Sequence, residues 1–135
     1  MGLFGPSLYM VLLAFGAMAT PDVGITGSLL TALPQPVPDY SHAPAYALLT
    51  WLLASGLRSR GWTKQTALQT SVVTAMVFGV GMEFIQKFVP GRTVDIHDVA
   101  FNAIGIGAAA LLIATGPEAR TFAFSSKFLR SPYKN

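Results

Sequence analysis

Apolar residues gather into four runs, each close to the length a helix needs to cross a bilayer, and polar residues collect between them. The first run extends from about Leu3 to Ala19, with Pro6 in the opening turn, where a missing N–H costs little. The second spans about Ser41 to Leu57, with Ser41 placed as an N-cap and Pro44 tolerated in the first turn. The third covers about Thr66 to Phe88 and the fourth Asp95 to Thr115, near the ~20 apolar residues that a hydrocarbon span requires. Backbone polar groups in lipid must be satisfied within the segment, so such runs are helices. The pattern predicts an all-α integral membrane fold: a four-helix transmembrane domain over 1–115, then a polar, basic tail over 116–135. Ala17-Met18-Ala19 has the look of a leader cleavage site, but no Lys or Arg precedes the first run, so it is read as a retained helix.

Polar positions inside the runs fall on single faces. Ala75, Gly79 and Glu83 recur at spacings of four, with Gln86 three residues on. Asp98, Asn102, Gly105 and Ala109 form a second stripe, and Asp39, His42 and Tyr46 a third if the second helix begins early. Small residues on such stripes allow close helix–helix approach. Trp51 reads as core and Trp62 as an interfacial anchor.

Composition strengthens the membrane reading. Charged residues are 11% of the chain against about 25% in soluble domains, and mean hydropathy is +0.51. With no cysteine, a disulfide, a thiolate metal site and a thiol nucleophile are all excluded. The net charge of +3 does not point to nucleic acid, because the basic residues flank the apolar runs instead of forming one patch with aromatic residues. Instead it orients the chain. Arg58, Arg60 and Lys64, with Arg120, Lys127, Arg130 and Lys134, place seven of nine cations on one side. The positive-inside rule then puts both termini in the cytoplasm and two hairpin loops outside. Five of six acidic residues (Asp22, Asp39, Glu83, Asp95 and Asp98) fall at the outer helix ends, as do His42 and His97.

Those outer ends carry the candidate chemistry. Glu83 lies about one turn inside the end of the third helix, where a bare carboxylate is costly. It can pair with Arg92, pair with Lys87 at i+4, or hold a proton. Asp95 is placed to cap the fourth helix, as is Thr93, which leaves Asp98 to point into the bundle. Asn102, deeper on that face, bridges helices. Arg92 suits either the carboxylates or an anionic head group, and Gln86 is a further binding candidate. Asp39 and His42 form a candidate base pair, whereas His97 projects about 100° from Asp98 and stays out of the site. The acid–base candidates are Asp39, His42, Glu83 and Asp98; the binding candidates are Gln86, Arg92, Asp95 and Asn102. These carboxylates together with His42 suit a hard divalent cation, Mg or Ca, better than zinc. There is no H-E-x-x-H, phosphate-cradling glycine loop or nucleophile elbow.

The stretch from Gly81 to Gly107, with E-x-x-Q, P-G-R, D-x-x-D and N-x-x-G in order, resembles the VanZ-like family of small bacterial membrane proteins. The upstream Asp39-Tyr40-Ser41-His42, with Tyr46, is similar to the family's D-K-x-x-H…Y segment, with Tyr40 where the family often has Lys. The resemblance covers about residues 36–110. It implies a multi-pass protein of the bacterial cytoplasmic membrane, and an association with resistance to teicoplanin-type glycopeptides at the cell envelope. Two expectations follow. One is an outward-facing site that binds or modifies an envelope lipid or lipid-linked head group. The other is a non-catalytic accessory subunit of a larger membrane assembly, with polar residues bracing the helices.

Overall fold

The computed structural model describes residues 2–18, 40–89 and 95–116. It is all-helical, with α1 Phe4–Met18, α2 His42–Arg58, α3 Lys64–Gln86 and α4 Ile96–Thr115. Helices α3 and α4, of 23 and 20 residues, are long and apolar enough to cross a membrane. At 1.5 Å per residue they measure roughly 35 and 30 Å. Helices α1 and α2, with 15 and 17 residues, are shorter.

The ends explain the small departures from the apolar runs. Helix α3 starts at Lys64, two residues before the apolar run, because Thr63 is extended and its hydroxyl accepts the Thr66 N–H at 3.2 Å. It closes at Gln86 through two i→i+3 bonds, Phe88 N–H to the Ile85 carbonyl and Val89 N–H to the Gln86 carbonyl. The Ser41 cap does not form: its backbone is already helical, and its side chain makes no capping hydrogen bond. Gly61, at φ +89°, turns the chain out of α2 toward Thr63, as glycine does after a helix C-terminus.

The chain folds as an up-down bundle in which α2 is central. It packs most extensively on α4, then on α3, and α1 lies across α2 and α3. Close approach depends on glycines. A Cβ at Gly105 would overlap the Ala43 carbonyl oxygen, fixing the α2–α4 crossing there. A Cβ at Gly79 would lie 3.0 Å from the Tyr46 ring and 3.2 Å from Asn102 Nδ2. Tyr46, Leu49, Leu53, Ala75 and Ile106 form the buried core, with Tyr9, Met10, Leu13 and Phe78 packed against it. Large apolar side chains such as Val77, Phe84, Leu111 and Leu112 are exposed on the outer faces. Such a surface needs lipid or protein to cover it. Trp51 belongs to that outer surface at 53% exposed, against its expected place in the core.

The two ends of the bundle differ chemically. Arg58, Arg60 and Lys64 lie at one end, where Lys64 Nζ donates to the Ala114 and Gly116 carbonyls at 2.9 Å each and so finishes α4. The opposite end carries His42, Glu83, Gln86, Asp95, His97 and Asp98.

Candidate functional site

Each polar side chain at the acidic end is placed by its own helix. Helix α2 opens at His42, so the imidazole projects across the bundle mouth; Tyr46, one turn on, lies parallel to it with ring centroids 6.5 Å apart. Helix α3 delivers Glu83 and Gln86 on its buried stripe with Ala67, Ser71, Ala75 and Gly79. Helix α4 delivers Asp98 in its first turn and Asn102 one turn deeper. Glu83, Gln86 and Asn102 are 4%, 3% and 3% exposed, so three polar side chains are withdrawn from solvent together.

His42 joins the helices. Its Nδ1 meets Asn102 Oδ1 at 3.1 Å, and its Nε2 faces Asp98 Oδ2 at 3.8 Å. The amide oxygen accepts from the Nδ1–H, which fixes the ring's orientation and turns Nε2 toward the carboxylates. Glu83 completes the group: one ring nitrogen of His42 and one oxygen each of Glu83 and Asp98 lie within 4.8 Å of one another. The Asp95 backbone N–H hydrogen-bonds the Glu83 carboxylate, yet Glu83 Oε2 is buried with no hydrogen-bond partner among the described residues. An unsatisfied buried oxygen costs free energy, about 1–3 kcal/mol for a neutral group and more for a charged one.

Beside this group opens a cavity of about 270 Å³, with two unlike walls. One is apolar and comes from α1 (Leu12, Leu13, Gly16 and Ala17); the other, from α2 and α3, sets Ser41, His42, Tyr46, Glu83 and Gln86 among the apolar Ala45 and Met82. Gln86 Nε2 donates to the Ala17 carbonyl at 3.2 Å, and the Tyr9 hydroxyl to the Ala45 carbonyl at 3.3 Å. These two bonds hold α1 against α2 and α3 and so hold the cavity's apolar wall in place.

The profile of the VanZ/LLP1 family matches residues 37–116, more than half of the chain and all of α2, α3 and α4. The chain belongs to the VanZ/LLP1 family. It is 33% identical over 87 residues to an uncharacterized protein of Schizosaccharomyces pombe, covering 60% of this chain and 49% of that protein. The chain thus spans about half the length of that curated relative. No solved structure matches it. Family membership and the two long apolar helices together mark a membrane protein.

The candidate residues divide by position. His42, Glu83, Asp98 and Asn102 come together on three helices, and Gln86 lines the cavity beside them. Asp95 stands apart as the α4 cap: its Oδ1 accepts the His97 N–H at 2.8 Å and meets His97 Nδ1 at 2.7 Å. These contacts, the backbone bond first, hold the exposed Asp95 carboxyl below its ordinary value. Asp39 and Arg92 lie outside the described residues, as does the tail from residue 117. Glu83 makes no ion pair with Lys87; the close histidine–carboxylate contacts among the described residues join His42 to Asp98 and His97 to Asp95. The α1 wall had no signal in the sequence, because an apolar residue does not announce what it faces.

Proposed function

We propose that the chain is a multi-pass membrane protein whose cavity at the acidic end binds the polar head group of a membrane lipid. Both termini lie in the cytoplasm and the cavity faces outward, since Arg58, Arg60 and Lys64 cluster at the opposite end of the bundle. All four helices span, the two shorter ones with local thinning of the bilayer around them. In a bacterial member this is the cytoplasmic membrane, and the ligand is an envelope lipid or lipid-linked head group, which connects the site to glycopeptide susceptibility.

The observation that carries this reading is the cavity's two-sided lining. An amphiphile needs an apolar wall for its chain beside polar groups for its head, and Leu12, Leu13 and Ala17 face His42, Glu83 and Gln86 across the cavity. If the head group is also altered, His42 is the side chain placed to move a proton, held by Asn102 on one nitrogen and facing Asp98 with the other. An accessory-subunit role accounts for the exposed apolar faces equally well, since a neighbour covers them as lipid does. It gives no reason for a polar cavity.

Native mass spectrometry of the protein, extracted from its own membrane in mild detergent, tests the reading. The expected result is a 1:1 lipid adduct whose occupancy falls at least tenfold in Gly16→Leu. A Cβ at Gly16 meets nothing within 4 Å, so the leucine fills the cavity without straining the bundle. Equal adducts on both proteins would refute the cavity as the binding place. Stoichiometric partner subunits with no lipid would establish the accessory role.

A further inference from the structure

We infer that His42, Glu83 and Asp98 form a binding site for one divalent transition-metal cation. The inference rests on these donors alone and holds whether or not a lipid head group enters the cavity.

Three helices bring three electron-pair donors to one point: a ring nitrogen from α2 and a carboxylate oxygen from each of α3 and α4, all within 4.8 Å. With Nδ1 engaged by Asn102, His42 presents a lone pair at Nε2, and the two carboxylates present only acceptors. Such a convergence of acceptors is stabilised by a cation placed among them. A direct proton bridge does not fit, because 3.8 Å between Nε2 and Asp98 Oδ2 exceeds hydrogen-bonding distance. A shared ion does: in a tetrahedral shell two donors each about 2.0–2.2 Å from one ion stand roughly 3.4 Å apart. A pair at the full 4.8 Å must therefore close by about 1.4 Å on binding, through rotation of the carboxylates and the imidazole.

A second observation points the same way. Glu83, 4% exposed, has an Oε2 atom without a hydrogen-bond partner among the described residues. Asn102 completes the pattern, since metal-binding histidines commonly give their other ring N–H to an oxygen that fixes the ring.

The donor set also selects the ion. Carboxylates alone suit Mg and Ca, but an imidazole nitrogen among three donors shifts the preference to Mn²⁺ or Zn²⁺. Three protein donors leave coordination positions open, as catalytic metal sites do. His42 and Glu83 also line the cavity, so those positions face it; on the head-group reading they take an anionic oxygen.

The test uses the full chain in lipid-free detergent, stripped with a chelator and titrated calorimetrically with Mn²⁺ or Zn²⁺ alone. One equivalent is expected to bind, with Kd raised at least tenfold in Glu83→Gln and in His42→Ala, and unchanged in His97→Ala. A measurement on the unaltered protein guards against misfolded variants. Diethyl pyrocarbonate modifies exposed imidazoles, and the bound ion should slow reaction at His42 at least tenfold while leaving His97 unprotected. The inference is overturned if the folded protein binds neither ion, if both site variants bind as the wild type does, or if His42 and His97 react alike with metal present. Because no lipid is present, failure here leaves the head-group reading standing. A lipid adduct that survives on the stripped protein would likewise not rescue the metal.

Discussion

The crossing of α2 and α4 positions His42 against Asn102, and it can be tested with one methyl group. At Gly105 an added Cβ would overlap the Ala43 carbonyl oxygen and lie 2.7 Å from its carbon and 2.9 Å from Ala43 Cα. All three obstacles are backbone, so no rotamer change relieves them, and the helices must part by about an ångström. Overpacking of this kind costs about 1–3 kcal/mol, and a rigid backbone neighbour puts Gly105→Ala at the upper end. Exchanging glycine for alanine inside a helix also returns about 1 kcal/mol of propensity. Gly107 supplies the control, because it lies two residues on in the same helix and its added Cβ meets nothing within 4 Å. The propensity gain is common to both, so the difference between Gly107→Ala and Gly105→Ala isolates the clash at about 3 kcal/mol. That is roughly a hundredfold in the unfolding equilibrium, readable by detergent-induced unfolding followed by circular dichroism. Gly79→Ala should fall between, since its obstacles at 3.0 and 3.2 Å are the side chains of Tyr46 and Asn102, which can give. If Gly105→Ala and Gly107→Ala unfold alike, the helices do not cross at Ala43, and the placement of His42 loses its support.

Two further outcomes follow from the ends of α4. Replacing Lys64 by Met removes the donor to the Ala114 and Gly116 carbonyls; the last turn of α4 should fray by about 0.5–1.5 kcal/mol, seen as faster amide exchange near the α4 C-terminus with the first turn unchanged. Asp95 gives the pH dependence. Its native carboxyl is held low by the His97 N–H, so its stabilisation is complete above the ordinary carboxylate range and is lost as pH falls through the lower native value. His97 amide exchange should therefore accelerate below roughly pH 4 and lose that acceleration in Asp95→Asn, which caps without titrating; a pH-independent cap would contradict this.

The helices were readable because hydrocarbon-length apolar runs leave few alternatives, and glycine and alanine stripes marked the packed faces of α3 and α4. Boundaries moved where local chemistry intervened: Thr63 started α3 early, and Ser41 was already helical and did not cap. Partners were harder. Glu83 and His42 each stood out as isolated polar residues, but which of them meets Asp98 depends on helix rotation and on where α2 crosses α4. That information lies in the fit of Gly105 against Ala43, not in either residue's neighbours along the chain. Trp51 was misplaced for the same reason that the cavity's α1 wall gave no signal: in lipid, outside is as apolar as inside, so hydrophobicity no longer separates core from surface.

The bundle handles buried polar groups in two ways, and the contrast bears on function. Thr50 and Ser71 are fully buried, and each returns its hydroxyl to the carbonyl four residues back, at 2.8 and 2.7 Å. They close on their own helices and ask nothing of a ligand. Glu83 has no such local solution: it is ionisable and nearly as withdrawn, one of its oxygens has no hydrogen-bond partner among the described residues, and it brings an oxygen within 4.8 Å of the His42 ring nitrogen and an Asp98 oxygen. Replacing buried ionisable groups with apolar residues of similar volume is often neutral or stabilising, by about 1–4 kcal/mol. A bundle shaped for stability alone would carry Leu or Met at position 83 and extend the stripe of Ala75 and Gly79 to the end of α3. The acidic end is instead assembled at a cost in stability, from three helices at once, beside a cavity whose far wall is apolar. That combination supports the proposed site for a charged ligand, while His42 with Asn102 and Gln86 with Ala17 brace the same helices.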